Sequence, residues 1–204
     1  MKINAYIMAR GGSKRLPGKN LLQINSKSLL AHAIGHAKAI AENVYVSTDN
    51  LQIGDEGSRC GAEIIMRPTE LSQGESGSEW KAWQHAVKNS RECDIFVSVP
   101  TVCPLRETDD IRKTIAALQI FDACVTTTNL IFHPFGAPSE RSQDREPLKN
   151  VCAVAYAAQP SYVLRAGSLW DGTVTGVSVP KERALDIDDI HDFRVAKLLM
   201  ESVA

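Results

Sequence analysis

The residues best suited to chemistry lie in one short segment near the start of the chain. The stretch ARGGSKRLPGKN over 9–20 directly follows the apolar run from Ile3 to Met8 and holds three glycines, one proline and four cations. Glycines let backbone N–H groups approach an anion closely. The cations that can neutralise such an anion are Arg10, Lys14, Arg15 and Lys19. Since ligands bind at the ends of strands in α/β sheets, the segment predicts a triphosphate site.

This loop matches neither of the two common phosphate-binding motifs. A Walker A loop has Ser or Thr after its Gly-Lys pair, whereas Gly18 and Lys19 are followed by Asn20. The GxGxxG spacing is absent from the segment as well. A solvated basic turn is the alternative interpretation, and the position immediately after a strand favours the anion site.

A second candidate segment, LDIDDIHD over 185–192, is acidic. In an extended backbone, residues two apart share a face, so Asp186 and Asp188 would point together while Ile187 points into the core. Two carboxylates on one face suit Mg²⁺, which keeps several waters and takes phosphate oxygens from a substrate. The alternative is an acidic cap at the start of a helix.

Alternating strand and helix patterns must position these two segments. Apolar runs predict strands over 3–8, 44–47, 62–66, 95–99, 123–127, 151–157 and 176–179. Helical spacing predicts helices over 28–41, 50–60, 78–90, 108–121, 161–166 and 193–203, with Asp49 as the cap of the second helix. This order predicts an α/β fold, as one domain over 1–204, with a parallel sheet covered on both faces. The polar, proline-containing stretch 129–150 predicts a long loop or excursion.

Composition excludes several classes of function. The chain has 204 residues, 44% hydrophobic and 23% charged, with a net charge of −1. This balance is typical of a globular protein and gives no basic excess for binding nucleic acid. No apolar run approaches the ~20 residues of a membrane span. Five cysteines without a CxxC pair indicate reduced thiols. We therefore expect a cytoplasmic protein that contacts neither nucleic acid nor membrane.

The basic loop resembles the nucleotide-binding signature of the sugar-acid cytidylyltransferases. These include CMP-N-acetylneuraminate synthetases and 3-deoxy-manno-octulosonate cytidylyltransferases. Further matches follow in order along nearly the whole chain: VSTDN at 46–50, GAEIIMRPTELS at 61–72, CPLRETDDI at 103–111 and LDIDDIHDF at 185–193. The resemblance implies a Rossmann-like three-layer α/β/α nucleotidyltransferase fold with a mostly parallel central sheet and a small excursion.

The resemblance also implies an activity. The anomeric hydroxyl of a nonulosonic-type sugar acid would attack the α-phosphorus of CTP, and pyrophosphate would leave. Arg10 and Lys19 would be the catalytic residues, and Asp186 and Asp188 would hold Mg²⁺. The implied nucleotide-binding residues are Arg10, Gly11, Gly12, Ser13, Arg15, Lys19, Asn20, Arg67 and Ser78.

The resemblance to the family also has implications for substrate binding and for the oligomeric state. The resemblance implies sugar contacts from Asn150 and Tyr156. It also implies a homodimer in which 129–150 reaches the partner. An anionic sugar carboxylate favours an arginine, and Arg106 is expected at the rim because it follows a strand.

Three positions depart from the family pattern. Pro100 stands where neuraminate-type relatives carry glutamine, and Val102 stands where the octulosonate branch carries an acidic metal ligand. The segment ESGSEW over 75–80 matches neither branch. Two alternatives therefore stay open: a nucleotidyltransferase for another sugar or nucleotide, and a nucleotide-binding pseudoenzyme.

Overall fold

The computed structural model describes residues 1–72, 78–131, 141 and 145–202, and within these it contains nine β-strands and six α-helices. The strands are β1 (Ile3–Met8), β2 (Gln23–Ile24), β3 (Lys27–Ser28), β4 (Asn43–Thr48), β5 (Glu63–Met66), β6 (Ile95–Ser98), β7 (Ala123–Leu130), β8 (Leu148–Ala158) and β9 (Val174–Ser178). The helices are α1 (Leu29–Lys38), α2 (Leu51–Arg59), α3 (Ser78–Lys88), α4 (Thr108–Ala116), α5 (Pro160–Arg165) and α6 (Ile190–Ser202). Short 3-10 helices cover Lys19–Leu21, Thr69–Ser72 and Ala117–Gln119.

Seven of the strands form one sheet in the order β5-β4-β1-β6-β8-β7-β9. β8 runs antiparallel to both of its neighbours, and the other pairings are parallel. The predicted α/β fold with a mostly parallel sheet is therefore confirmed. β4 and β6 lie on opposite sides of β1, so the strand order reverses there. A crevice beyond the carboxyl end of β1 is the expected ligand position in such a sheet.

Helices cover both faces of the sheet. α1, α2 and α4 pack on one face through Leu30, Ile34, Ile53 and Ile111, which are buried against Ile7 and other residues of the central strands. α3 and α5 pack on the opposite face through buried aromatic residues. β1 is buried on both faces, as its unbroken apolar run predicts. Within the described residues, no helix is long and apolar enough to cross a membrane.

Local chemistry sets the starts of the first two helices. The Ser28 hydroxyl accepts from Ala31 N at 3.0 Å and caps α1. Asn50, and not the predicted Asp49, caps α2 by accepting from Ile53 N at 3.0 Å. Asp49 is thereby left for another contact, described below.

The predicted loop over 129–150 begins and ends in paired strands. Leu130 of β7 pairs with Leu148 of β8, so both strands extend further than the sequence indicated. Most of the segment between them lies outside the described residues. β8 also bulges, because Val125 pairs with Tyr156 whereas the next residue, Thr126, pairs with Cys152. Such bulges often occur beside functional sites.

Candidate active site

The glycine-rich loop leaves the carboxyl end of β1 and is tied to the neighbouring strand β4. Ala9 N donates to Ser47 O at 3.0 Å, and Gly11 N donates to the Asp49 carboxylate at 2.8 Å. A Cβ on Gly11 would lie 2.9 Å from Asn50 Cβ. Glycine is therefore required for this close approach, which holds the loop over the sheet edge.

Asn20 fixes the far end of the same loop. Its side-chain nitrogen donates to Arg10 O at 2.9 Å, and its side-chain oxygen accepts from the Thr101 hydroxyl at 2.7 Å. Both side chains are buried. Asn20 therefore positions the loop against the end of β6. Sequence analysis missed Thr101, and its only signal was a polar side chain directly after a buried strand.

The loop surrounds a cavity of about 360 Å³, here called the β1 cavity. It is lined by all four predicted cations, Arg10, Lys14, Arg15 and Lys19. The lining also includes Ser13, Asn20, Thr101 and Asp188. A concave site with several cations and one carboxylate attracts a polyanion. The structure thus brings together the basic loop and the acidic segment from the other end of the chain.

Lys19 links those two segments directly. Its ammonium donates to Ile187 O at 2.7 Å. Burial lowers the pKa of Lys19, while the charges of Asp186 and Asp188 raise it. Ile187 is completely buried, and its N–H donates to Val102 O at 2.9 Å. The predicted alternation around Ile187 is confirmed, because its two acidic neighbours are not buried.

The acidic segment divides its carboxylates between two tasks. Asp192 accepts from the backbone N–H groups of Asp188 and Asp189 at 2.9 and 3.0 Å, and Asp189 accepts from His191 N at 2.7 Å. Capping of α6 is therefore done by Asp189 and Asp192. The Asp186 and Asp188 side chains are not used for this cap.

Asp186 and Asp188 fit a magnesium ion by their chemistry. Desolvation and the nearby Asp188 charge raise the pKa of Asp186, and a cation would relieve that repulsion. Asp188 meets Arg15 Nη2 at 2.6 Å. Among the described residues no group of three or more His, Cys, Asp or Glu could hold a metal. A two-carboxylate site that leaves the remaining positions to water and phosphate suits Mg²⁺.

A second cavity of about 300 Å³, the Arg67 cavity, shares Met8 and Arg10 with the first. Arg67 is buried, and its Nε donates to the Ser72 hydroxyl at 2.8 Å. Glu79, Ala82 and Leu71 complete much of the lining. The Ser78 side chain, predicted to contact the nucleotide, lies outside the described residues.

The predicted position of Arg106 at the rim is wrong. The side chain is only 3% exposed and lies below the rim. Its Nε donates to Cys103 O at 2.8 Å, and its Nη2 donates to Pro100 O. Burial lowers the pKa of Arg106 to about 10. Arg106 therefore holds the turn between β6 and α4.

Asn150 and Tyr156 lie on β8, on either side of the bulge. Asn150 is exposed and pairs with Thr128. Tyr156 is half-buried, with its ring centroid 5.5 Å from that of Trp83. It lines a third cavity of about 450 Å³, the Tyr156 cavity, which also contacts Glu79 and Trp170. Burial raises the pKa of the Tyr156 hydroxyl, which stays protonated as a donor.

A cationic loop at the point where the strand order reverses is the arrangement of a nucleotide-binding α/β protein. Comparison with known families identifies the family within this class of proteins. The chain belongs to the cytidylyltransferase family, whose model, described as "Cytidylyltransferase", matches residues 5–140. The predicted family is therefore confirmed.

Individual relatives agree with this family. The chain is 29% identical to an N-acylneuraminate cytidylyltransferase of Escherichia coli, over 96% of this chain and 51% of the relative. It is 47% identical to a CMP-N,N'-diacetyllegionaminic acid synthase of Legionella pneumophila, over 64% and 59% of the two chains. The chain spans about half the length of these curated relatives.

A solved structure supports the fold independently. The structure of CMP:2-keto-3-deoxy-manno-octonic acid synthetase complexed with CTP superposes with a TM-score of 0.79 at 18% identity, covering all of both chains. At this identity the likeness shows the fold alone.

Proposed function

We propose that this protein transfers CMP from CTP to the anomeric hydroxyl of a nonulosonic-type sugar acid and releases pyrophosphate. The observation that carries the proposal is the β1 cavity, where a cationic loop faces Asp188 and Lys19 reaches the backbone of the acidic segment. Relatives named for N-acylneuraminate and legionaminic acid support the substrate class.

The triphosphate would lie in the β1 cavity. Arg10, Arg15 and Lys19 would hold its oxygens, Gly12 would offer its backbone N–H, and Ser13 would offer its hydroxyl. Attack of the hydroxyl oxygen on the α-phosphorus would break the bond to the bridging oxygen, and the hydroxyl proton would pass to solvent. Negative charge would grow on the departing pyrophosphate. Arg10 and Lys19 would stabilise that charge, because phosphoryl-type transfer depends mainly on positioning and electrostatics.

Asp186 and Asp188 would hold Mg²⁺ beside the triphosphate. When bound, the ion would neutralise phosphate charge and favour attack at the α-phosphorus. Arg15 already contacts Asp188 at 2.6 Å, so the arginine would exchange this carboxylate for a phosphate as substrate enters. Arg15 would therefore have an anionic partner in both states: Asp188 before the nucleotide binds and a phosphate afterwards.

The nucleoside would continue from the β1 cavity into the Arg67 cavity, because the two share Met8 and Arg10. The acceptor sugar would lie toward β8, where Tyr156 offers a protonated hydroxyl and Asn150 an exposed amide. We further propose a homodimer and a cytoplasmic location. All five cysteines are unpaired, which fits a reducing compartment.

Pyrophosphate release tests this function. The protein would be incubated with Mg²⁺, with each of CTP, UTP, ATP and GTP, and with a panel of sugar acids. We expect release with CTP and one of the acids. Release with another nucleotide would keep the reaction but contradict the assignment of the base. CTP binding without release, over a panel that includes neuraminic, legionaminic and octulosonic acids, would favour the pseudoenzyme.

A further inference from the structure

Glu79 lies between two cavities and belongs to neither the basic loop nor the acidic segment. It is the second residue of α3 and lines both the Arg67 cavity and the Tyr156 cavity. The residue is solvent-exposed, yet it lies in a crowded recess, and desolvation there raises the pKa of its carboxyl group. The charges of Arg67 and Arg10 oppose this shift and favour the ionised form.

The packing of α3 fixes the direction of Glu79. Trp80 is buried, and its indole N–H donates to Ala166 O at 2.8 Å, which anchors the helix to the residue after α5. Gln84 donates to the same carbonyl at 3.0 Å. Residues three apart share a helix face, and Ala82 lines the Arg67 cavity together with Glu79. Rotation of this helix turn away from the cavity would break the anchoring contacts.

Arg67 is fixed on the other side of the same cavity. Its Nε donates to Ser72, and its Nη1 approaches Met8 Sδ at 3.9 Å. Within the described part of the chain, no hydrogen bond engages Nη2 of Arg67 or the carboxylate of Glu79, and the two side chains form no ion pair. A fixed donor and a separate acceptor therefore face one small cavity without satisfying each other.

A ligand that fills this space needs an acceptor facing Arg67 and a donor facing Glu79. The Watson–Crick edge of cytosine has this order, with O2 and N3 as acceptors and the N4 amino group as donor. Uracil keeps the O2 acceptor that faces the guanidinium but places its O4 acceptor toward the carboxylate, so the contact with Glu79 becomes repulsive. Carboxylates read the cytosine amino group in other recognition systems for the same reason.

We propose that Glu79 is a specificity-determining residue that accepts a hydrogen bond from the cytosine amino group while Arg67 donates to the opposite end of the base edge. This role rests on the proposed function, because it presumes that a pyrimidine nucleotide enters the β1 cavity. It assigns discrimination between CTP and UTP partly to repulsion, which is how binding sites commonly exclude a near-isostere.

Calorimetric binding of CTP and UTP in the presence of Mg²⁺, without any sugar acceptor, tests the role of Glu79. The variant Glu79→Gln keeps the shape of the side chain and adds an N–H donor that uracil O4 can use. Glu79→Ala removes both the acceptor and the repulsion. Glu70→Gln is the matched control, because Glu70 is exposed on the preceding 3-10 helix and lies outside the Arg67 cavity.

We expect the ratio of the UTP and CTP dissociation constants to fall on the order of 10- to 100-fold in Glu79→Gln. It should fall in Glu79→Ala as well and stay unchanged in Glu70→Gln. A ratio unchanged in both Glu79 variants, or equal weakening of both nucleotides, would overturn the role of Glu79 and leave the proposed function intact. Failure of the unsubstituted protein to bind CTP would overturn both the role of Glu79 and the proposed function. Pyrophosphate release by the unsubstituted protein shows whether the proposed function still holds when the role of Glu79 fails.

Discussion

The β1 cavity and a cavity between α1 and α2 are both rich in cations, but they differ in how those charges are used. The second cavity has a volume of about 460 Å³, contains Lys27, Lys38 and Arg59, and is here called the α1–α2 cavity. Glu56 lies among these cations, accepts from the Ser28 hydroxyl at 2.6 Å and pairs with Arg59. Glu56 thus links α2 to the start of α1, and Arg59 is paired within its own helix.

The β1 cavity has a different origin. Its cations come from a single glycine-containing loop at the end of a central strand, and that loop is held by Asn20 and Asp49. A count of cations is therefore not enough to predict an anion site. The loop position at the sheet edge and the approach of backbone N–H groups favour the β1 cavity as the proposed anion site.

Matched lysine substitutions test this difference with the largest expected effect. Lys19→Ala should lower kcat/KM for CTP by about 100- to 1,000-fold, because it removes a fixed cation from the developing charge. Lys38→Ala, in the α1–α2 cavity, should change it less than about twofold, as expected for a surface charge. Steady-state pyrophosphate assays measure both.

Thermal melts provide the control for the lysine pair. Lys38→Ala should unfold within about 0.5 kcal/mol of the parent protein, as usual for an exposed lysine. Lys19→Ala should lose about 1–2 kcal/mol, because it removes the hydrogen bond to Ile187 O, and should remain folded at the assay temperature. Unchanged turnover in Lys19→Ala, or equal losses in the two variants, would contradict the distinction between the cavities.

Matched aspartate substitutions are the next test. Asp188→Asn should raise the Mg²⁺ concentration for half-maximal activity by about tenfold or more, because even indirect partners of a metal contribute that much. Asp55→Asn on α2 is the control, since Asp55 is exposed and does not line the β1 cavity. If the magnesium titration of Asp188→Asn matched that of the parent protein, Asp188 would not be a ligand.

Much of the fold could be predicted from sequence because its signals are local. Strand β1, helix α1 and the alternation around Ile187 each follow from the spacing of apolar residues within a few positions. Asn25 and Ser26, which join β2 to β3, have positive φ, 51° and 61°, and the turn between the two strands is likewise a local feature. The basic loop was found for the same reason, since its glycines and cations are contiguous.

The parts that could not be predicted depend on contacts between distant segments. Arg106 was expected at a rim because it follows a strand, but burial depends on the β6–α4 turn closing over it. Thr101 and Glu79 are ordinary polar residues in the sequence. Only the fold brings Thr101 to Asn20, 81 positions away, and Glu79 into the cavity of Arg67.

Two buried hydrogen-bonding residues offer a smaller test. Asn20→Ala should destabilise the protein by about 1–3 kcal/mol, because it leaves the Thr101 hydroxyl and Arg10 O without their partner. It should also weaken CTP binding by releasing the loop. Ser28→Ala should cost about 1–3 kcal/mol through the lost α1 cap and the lost hydrogen bond to Glu56 and leave CTP binding unchanged. Denaturant unfolding and calorimetry separate the two variants, and equal effects on CTP would contradict the positioning role of Asn20.

The smallest expected effect is the pH dependence of stability that α1 contributes. His36 on α1 lies 3.1 Å from the Thr108 hydroxyl, measured from Nδ1 to Oγ1. Burial, with the charge of Arg106, lowers the pKa of His36 from 6.5 to about 4. The unfolded chain therefore binds a proton before the folded protein does, so stability is full above pH 6.5 and falls as the pH drops toward 4.

Substitution of His36 isolates this contribution. For a half-buried histidine we expect a loss of about 1 kcal/mol between pH 7 and 5, and His36→Gln should remove that part of the slope in denaturant titrations. His191→Gln, at an exposed position on α6, should keep the parent slope. If His36→Gln kept it too, the acid sensitivity would come from elsewhere in the protein. If the slope disappears while CTP affinity at pH 7 is unchanged, His36 contributes to folding and not to nucleotide binding. Helix α1 would then have a structural role, in contrast to the β1 cavity.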